Sequence, residues 1–202
     1  MQSLLHGVFL AIGLILPLGV QNLFIFNQGA TQPSFLRALP AVIAASVCDT
    51  LLILLAVNGV SLFLVKFEVL KEVLVGMGVI FLLYMGWLTW NNIIAHNDVE
   101  ATKSFSIKQQ IVFAATVSLF NPHAILDTIG VIGTSSANYE GMEKLLFTIA
   151  CILVSWLWFF SLAATARFVS GRAQFTNGIR WINKLSAVFI WGSACYMVYS
   201  AI

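Results

Sequence analysis

Residues 118–128 read SLFNPHAILDT, and Asn121, Pro122, His123, Asp127 and Thr128 crowd there into the middle of a long apolar run. Asn is a favoured N-cap, and Pro is favoured at the first position of a helix. The stretch therefore reads as one helix ending near Leu119 and a second starting at Pro122. Asp127 then falls in the second turn of the new helix. The N-terminus of such a half-helix carries unpaired N–H groups and a partial positive charge. It can hold an anionic group while Asp127 holds a cationic one.

The surrounding chain explains why such a break matters. The 202 residues are 60% hydrophobic and only 9% charged, with a mean hydropathy of +0.95. Soluble domains carry about 25% charged residues, because a folded domain needs a polar coat. The solvent for this chain is lipid. Charges fall in short clusters between long uncharged gaps, and a spanning helix needs about 20 apolar residues. Six candidate spans follow, at 4–26, 38–63, 73–95, 109–136, 145–166 and 185–202. The first lacks the basic leader and small-residue cleavage site of a signal peptide, so it is expected to stay as helix one. The expected architecture is an all-α integral membrane protein, one polytopic domain over 1–202.

Lys and Arg favour the cytoplasmic side. The loops after helices one, three and five carry Arg37, Lys103, Lys108, Arg167, Arg172, Arg180 and Lys184. The loops after helices two and four carry only Lys66, Lys71 and Lys144. This places the odd-numbered loops inside and both termini outside. Trp87, Trp90 and Trp181 fall near span ends, where indole rings are favoured. Trp156 and Trp158 fall mid-span, where packing or pore lining is the simpler reading.

Two carboxylates lie deep in the spans, Asp49 in helix two and Asp127 in helix four. An ionised Asp at mid-bilayer costs about 2.5–3.5 kcal/mol even on lenient insertion scales, so such residues usually face a cavity or a partner. Helix one has a break of its own at Pro17 and Gly19, followed by the amides Gln21 and Asn22. These amides can serve a polar ligand, or they can simply bond neighbouring helices around a proline kink. Pro17 and Pro122 are 105 residues apart, as are Asn22 and Asp127. That offset, near half the chain, suggests two inverted three-helix repeats, 1–104 and 105–202, with helices one and four broken. His123 can titrate or bind substrate, or merely pack. Gly76, Gly78, Gly86, Gly130 and Gly133 permit close helix packing.

Three stretches now carry a resemblance: LPLGVQNLFIFNQG (16–29), ASVCDTLLI (45–53) and SLFNPHAILDTIGVIG (118–133). Together they resemble the lysine exporter (LysE) family of amino-acid exporters, over essentially the whole chain. The form NPHAILDT resembles the lysine/arginine-exporting branch. The homoserine/threonine branch usually differs after Asn-Pro and lacks this Asp. The resemblance implies export of L-amino acids across the plasma membrane, driven by an ion gradient. It implies a site made of Pro17, Gln21, Asn22, Asp49, Asn121, Pro122 and Asp127. Two features depart from it. Leu18-Gly19 follows Pro17 where the family often has Gly-Pro, and no basic residue lies in helix three.

The expected function is thus secondary export of a basic amino acid, with His123 added to the candidate site from its place after the break. The alternatives are a neutral amino-acid exporter or a metal or small-cation transporter of the same fold. Asp49, Asp127, His123 and Cys48 make a poor set for a soft metal. No cofactor is expected beyond a coupling ion, proton or other. The expected partners are an amino acid and the lipid bilayer, not nucleic acid, and a homodimer is reasonable. An intramembrane enzyme finds no support, since neither His-x-x-x-His nor Gly-x-Ser-x-Gly occurs. Cys48, Cys151 and Cys195 are dispersed and read as small apolar side chains. Changing all three to Ala is expected to retain export within about twofold of wild type, measured as efflux from loaded cells. Complete loss at normal expression would indicate a thiol or metal role.

Overall fold

The computed structural model describes residues 1–16, 19–60, 76–77, 79–84, 86–87, 90, 105–119, 121–170, 184, 187–188, 190–192, 194–195 and 198–199. For Val60, Pro122, His123, Leu126 and Asp127 only the backbone is described. Pro17, Gly78, Trp181, Lys66, Lys71, Lys103, Arg172 and Arg180 lie outside the described residues, as does most of the expected spans 73–95 and 185–202. The ordered elements are α1 (Gln2–Ile15), α2 (Val20–Thr31), α3 (Phe35–Leu55), α4 (Ile107–Leu119), α5 (Pro122–Ile125), α6 (Gly133–Ser136) and α7 (Gly141–Ser170). Two π-helical turns are inserted, π1 (Ala56–Val60) after α3 and π2 (Leu126–Ile132) between α5 and α6. Among the described residues there is no strand.

Among the described residues, two helices are long and apolar enough to cross a membrane, Phe35–Gly59 and Gly141–Ser170; the bent pair α1–α2 adds a third where it is counted as one span. The 30 residues of α7 would extend about 45 Å, against a hydrocarbon thickness of about 30 Å. This helix is the spine. Its buried positions are mostly small, Ala150, Cys151, Ser155, Ala163 and Ala166, beside Phe147 and Phe159. Small residues let backbones approach closely, which is the main source of cohesion between helices in lipid.

α1 and α2 lie along α7 in the same direction. Gly7 faces Phe147 and Ala150, and Gly29 faces the Ala163 backbone. α3 runs the opposite way, so that Ala41 and Ala45 join Phe159 and Ala163 in one cluster with Phe24 and Ile25. α4 completes this cluster through Ala114.

The second broken segment crosses from one end of the bundle to the other. It begins beside α2 and α3, where Gln32 and Gln110 both reach the Phe105 carbonyl. It ends at Tyr139, which bonds His6 at the start of α1. Between these ends, Ile132 packs with Ala11, Ile53 and Cys151. The two broken segments therefore run in opposite directions. The charge bias read from sequence becomes a spatial one. Arg37, Lys108 and Arg167 belong to the end where α2 stops and α3 and α4 start. Glu140, Glu143 and Lys144 sit at the opposite end, where α7 starts.

The glycines divide differently from the expectation. A Cβ on Gly86 would meet the Trp191 indole, as close packing requires, but among the described residues nothing lies within 4 Å of where a Cβ would stand on Gly76 or Gly130. Gly7 and Gly29 are close-packed as well, and both meet the backbone of α7 rather than the end of a side chain. Helix periodicity alone could not rank them, because it does not say which face meets another backbone. Gly29→Ala is expected to overpack the α2–α7 contact at a cost of about 1–3 kcal/mol, and Gly130→Ala to cost nothing measurable. Thermal unfolding of the detergent-solubilised protein checks both. Equal melting temperatures for the two variants would contradict the packing.

Candidate membrane-embedded binding site

Both breaks fall where the sequence placed them. α1 ends at Ile15 and α2 starts at Val20, with the two helices bent by 80° across the gap. Gly19 is the N-cap of α2 in an extended conformation, φ −78° and ψ 175°, and its carbonyl accepts the first helical bond from Leu23 N–H at 3.1 Å. α4 ends at Leu119 and α5 starts at Pro122. Asn121 holds the N-cap position there, its carbonyl accepting from Ile125 N–H at 3.0 Å, and the residue is buried. Val20 and Val117 flank the two breaks and share one apolar cluster with Leu82, Ile190 and Ala194. The two interruptions thus lie side by side in the bundle.

A broken helix frees backbone groups that need partners. The Asn22 side chain supplies one, donating from Nδ2 to the Ile15 carbonyl at 2.8 Å. Trp158 Nε1 donates to Asn22 Oδ1 at 3.1 Å. Asn22 is therefore a strut that ties the end of α1 to the start of α2 and anchors both to α7.

One residue earlier, Gln21 points at the carboxylate of α3. Gln21 Nε2 donates to Asp49 Oδ1 at 3.2 Å, and Ser155 Oγ donates to Asp49 Oδ2 at 2.8 Å. Each oxygen of Asp49 thus accepts one bond from a neutral donor, an arrangement suited to the carboxylate form. Asp49 is only partly buried, with Gln21 and Ser155 buried beside it. One residue along α3, Thr50 accepts from Trp156 Nε1 at 3.0 Å. A hydrogen bond to a charged group contributes about 1.5–3 kcal/mol. Two of them are the right size to offset the insertion cost of one carboxylate, about 2.5–3.5 kcal/mol.

Asp127 lies in π2, which packs against α1 and α3. π-turns inside helices are frequent at functional sites, because the extra residue re-aims the side chains around it. The structure thus joins Gln21 to Asp49 directly, turns the next residue, Asn22, to Ile15 and Trp158, and places the Asn121–Pro122 break in the same part of the bundle. His123, Pro122 and Asp127 are positioned by backbone only. Sequence reasoning missed Ser155 and Trp158 as members of this constellation. The 105-residue offset puts Val154 opposite Asp49, one residue from Ser155, but the residue type alone does not single that serine out.

A polytopic helical bundle with a polar, carboxylate-bearing site between broken helices is the architecture of a membrane transporter. The chain belongs to the LysE type translocator family, which matches residues 12–201. It is similar to "Putative amino-acid transporter YisU" of Bacillus subtilis (strain 168), with 56% identity over 97% of this chain and 89% of that protein. It is also similar to "Arginine exporter protein ArgO" of Pectobacterium carotovorum subsp. carotovorum (strain PC1), 31% identical over 94% of this chain and 93% of the relative. The protein of the same name from Escherichia coli O157:H7 is 30% identical over 92% and 88%. No solved structure matches the chain. The family and these names mark a membrane-embedded transporter of amino acids, not an enzyme.

Ser155→Ala removes one of the two donors to Asp49. It is expected to lower transport about tenfold or more, the loss of one hydrogen bond to a charged group. Trp158→Phe keeps the ring and frees Asn22, with a smaller loss. Initial efflux rates normalised to membrane-inserted protein check both, and an unchanged rate for Ser155→Ala would remove that residue from the site.

Proposed function

We propose that the protein is a secondary active exporter of basic L-amino acids, lysine or arginine, across the plasma membrane. The observation that carries this reading is Asp49, which accepts hydrogen bonds from the neutral donors Gln21 and Ser155. Among the described residues, no Lys or Arg pairs with this carboxylate, so a cationic substrate can supply the countercharge. The relatives named as arginine exporters support the same cargo class. Asp127 is the second carboxylate of the site, available to a second cationic group or to a coupling proton. The N–H groups at the start of α2 and those of His123 and Ala124 suit the substrate carboxylate.

The antiparallel course of the two broken segments supports an inverted-repeat mechanism. So do the bonds between Asp49 and Ser155 and between Thr50 and Trp156, since each pair spans 106 residues, one more than the offset between the two prolines. Residues near a pseudo-two-fold axis meet their own counterparts. Rocking one half against the other about this axis would open the site to each side in turn, with an ion gradient as the driving force.

The test is efflux from cells loaded with a panel of amino acids, with and without a proton gradient. Lysine or arginine efflux should exceed that of homoserine and threonine. Asp49→Asn and Asp127→Asn should each abolish it at normal expression. Undiminished lysine and arginine efflux from either variant would take that carboxylate out of the mechanism.

A further inference from the structure

Above the Asp49 site, toward the end that carries Arg37 and Arg167, the bundle is shut in two layers. The first is aromatic. Phe24 packs on Phe113 with ring centroids 4.4 Å apart and on Phe105 at 6.1 Å, and Phe159 closes the same cluster. The second layer is polar. Arg167 donates from Nη1 to the Gln32 carbonyl at 3.0 Å and from Nη2 to the Pro33 carbonyl at 2.9 Å. Gln32 Nε2 in turn donates to Gln28 Oε1 and to the Phe105 carbonyl. These bonds tie the ends of α2 and α7 and the start of α4 into one latch. Arg167 is exposed while Gln32 is buried, so the latch has an outer face and a covered inner one.

Asn27 lies between the layers, one turn after Phe24 and one residue before Gln28 on α2. It is 1% exposed, and among the described residues neither Nδ2 nor Oδ1 of its side chain has a partner. A fully buried amide with both ends unsatisfied is costly and calls for an explanation. A neighbouring glutamine, Gln110, also leaves its Oε1 unpartnered while its Nε2 bonds the Arg37 and Phe105 carbonyls.

We infer that Asn27 lines the transit path between the Asp49 site and the basic end, and that the Arg167–Gln32 latch is the gate over it. In the closed form seen here the Asn27 side chain has no hydrogen-bond partner among the described residues. When the latch exchanges its bonds for water, α2 and α7 part at that end and the amide is hydrated or handed to the passing substrate. A latch of charge-assisted bonds to carbonyls suits this task, because water can replace each bond without exposing apolar surface. The inference rests on the reading of the protein as a transporter, but not on the identity of its cargo.

The test is thiol accessibility. Asn27→Cys is placed in a Cys48→Ala, Cys195→Ala background, which keeps the buried Cys151 at the opposite end as an internal reporter. A membrane-impermeant maleimide is applied from the basic side, with and without Arg167→Gln, and labelling is mapped by peptide. The expected result is labelling at position 27 about tenfold faster or more with Arg167→Gln, the shift of a closed–open equilibrium, while Cys151 stays unlabelled. Unchanged labelling at position 27 would overturn the gate. Labelling that rises at position 27 and at Cys151 together would overturn it too, since Arg167 would then be holding the whole fold. Labelling reads the gate and efflux reads the cargo, so either result can fail without the other.

Discussion

A carboxylate at bilayer depth costs about 2.5–3.5 kcal/mol to insert, and the bundle is arranged so that Asp49 can be carried there. Its two oxygens accept from Gln21 and Ser155, which belong to α2 and α7, two helices packed against α3 and against each other. Those two bonds are of the right magnitude to offset the insertion cost, and among the described residues no Lys or Arg pairs with the carboxylate. The position of nearly every other element follows from this need. α2 must bring an amide to Asp49, and α7 must bring a hydroxyl. α3 must run against both closely enough for 3 Å contacts.

The break in the first segment meets the first of these demands. A continuous helix from Gln2 to Thr31 would have no free turn at Gly19 and no end at Ile15. The interruption lets α2 start beside α3 at its own angle. Asn22 and Trp158 then repair the backbone group that the break exposes. The second demand is met by the small side chains on α7, which draw α1 and α2 inward at Gly7 and Gly29. Packing against glycine in lipid supplies cohesion without a hydrophobic drive. Polar groups can then be spent on the site and on the latch at the basic end.

Much of this was legible in the sequence, and for definable reasons. Breaks are local chemistry: Asn121-Pro122 and the Pro17–Gly19 stretch carry their own signals, and the helix ends at Ile15, Val20, Leu119 and Pro122 follow them. Asp49 was legible because a charge in an apolar run needs a reason. Ser155 and Trp158 were not, because a hydroxyl or an indole in a span is inexpensive and common; only the tertiary pairing gives them a role. Arg167 was counted as a loop charge, yet it holds two carbonyls of the α2–α3 turn, a contact no local pattern encodes. The packing glycines divided for the same reason: Gly86 meets the Trp191 indole as expected, while among the described residues nothing lies within 4 Å of where a Cβ would stand on Gly130.

The central claim is that Asp49 is left for the substrate's positive charge. Arginine and citrulline are nearly the same size and differ at the side-chain end by that charge. Counterflow into proteoliposomes preloaded with arginine compares them directly, with the two labelled amino acids offered at equal concentration. The account predicts rapid arginine exchange, with citrulline exchange at the level of protein-free liposomes. Equal exchange of the two would contradict it.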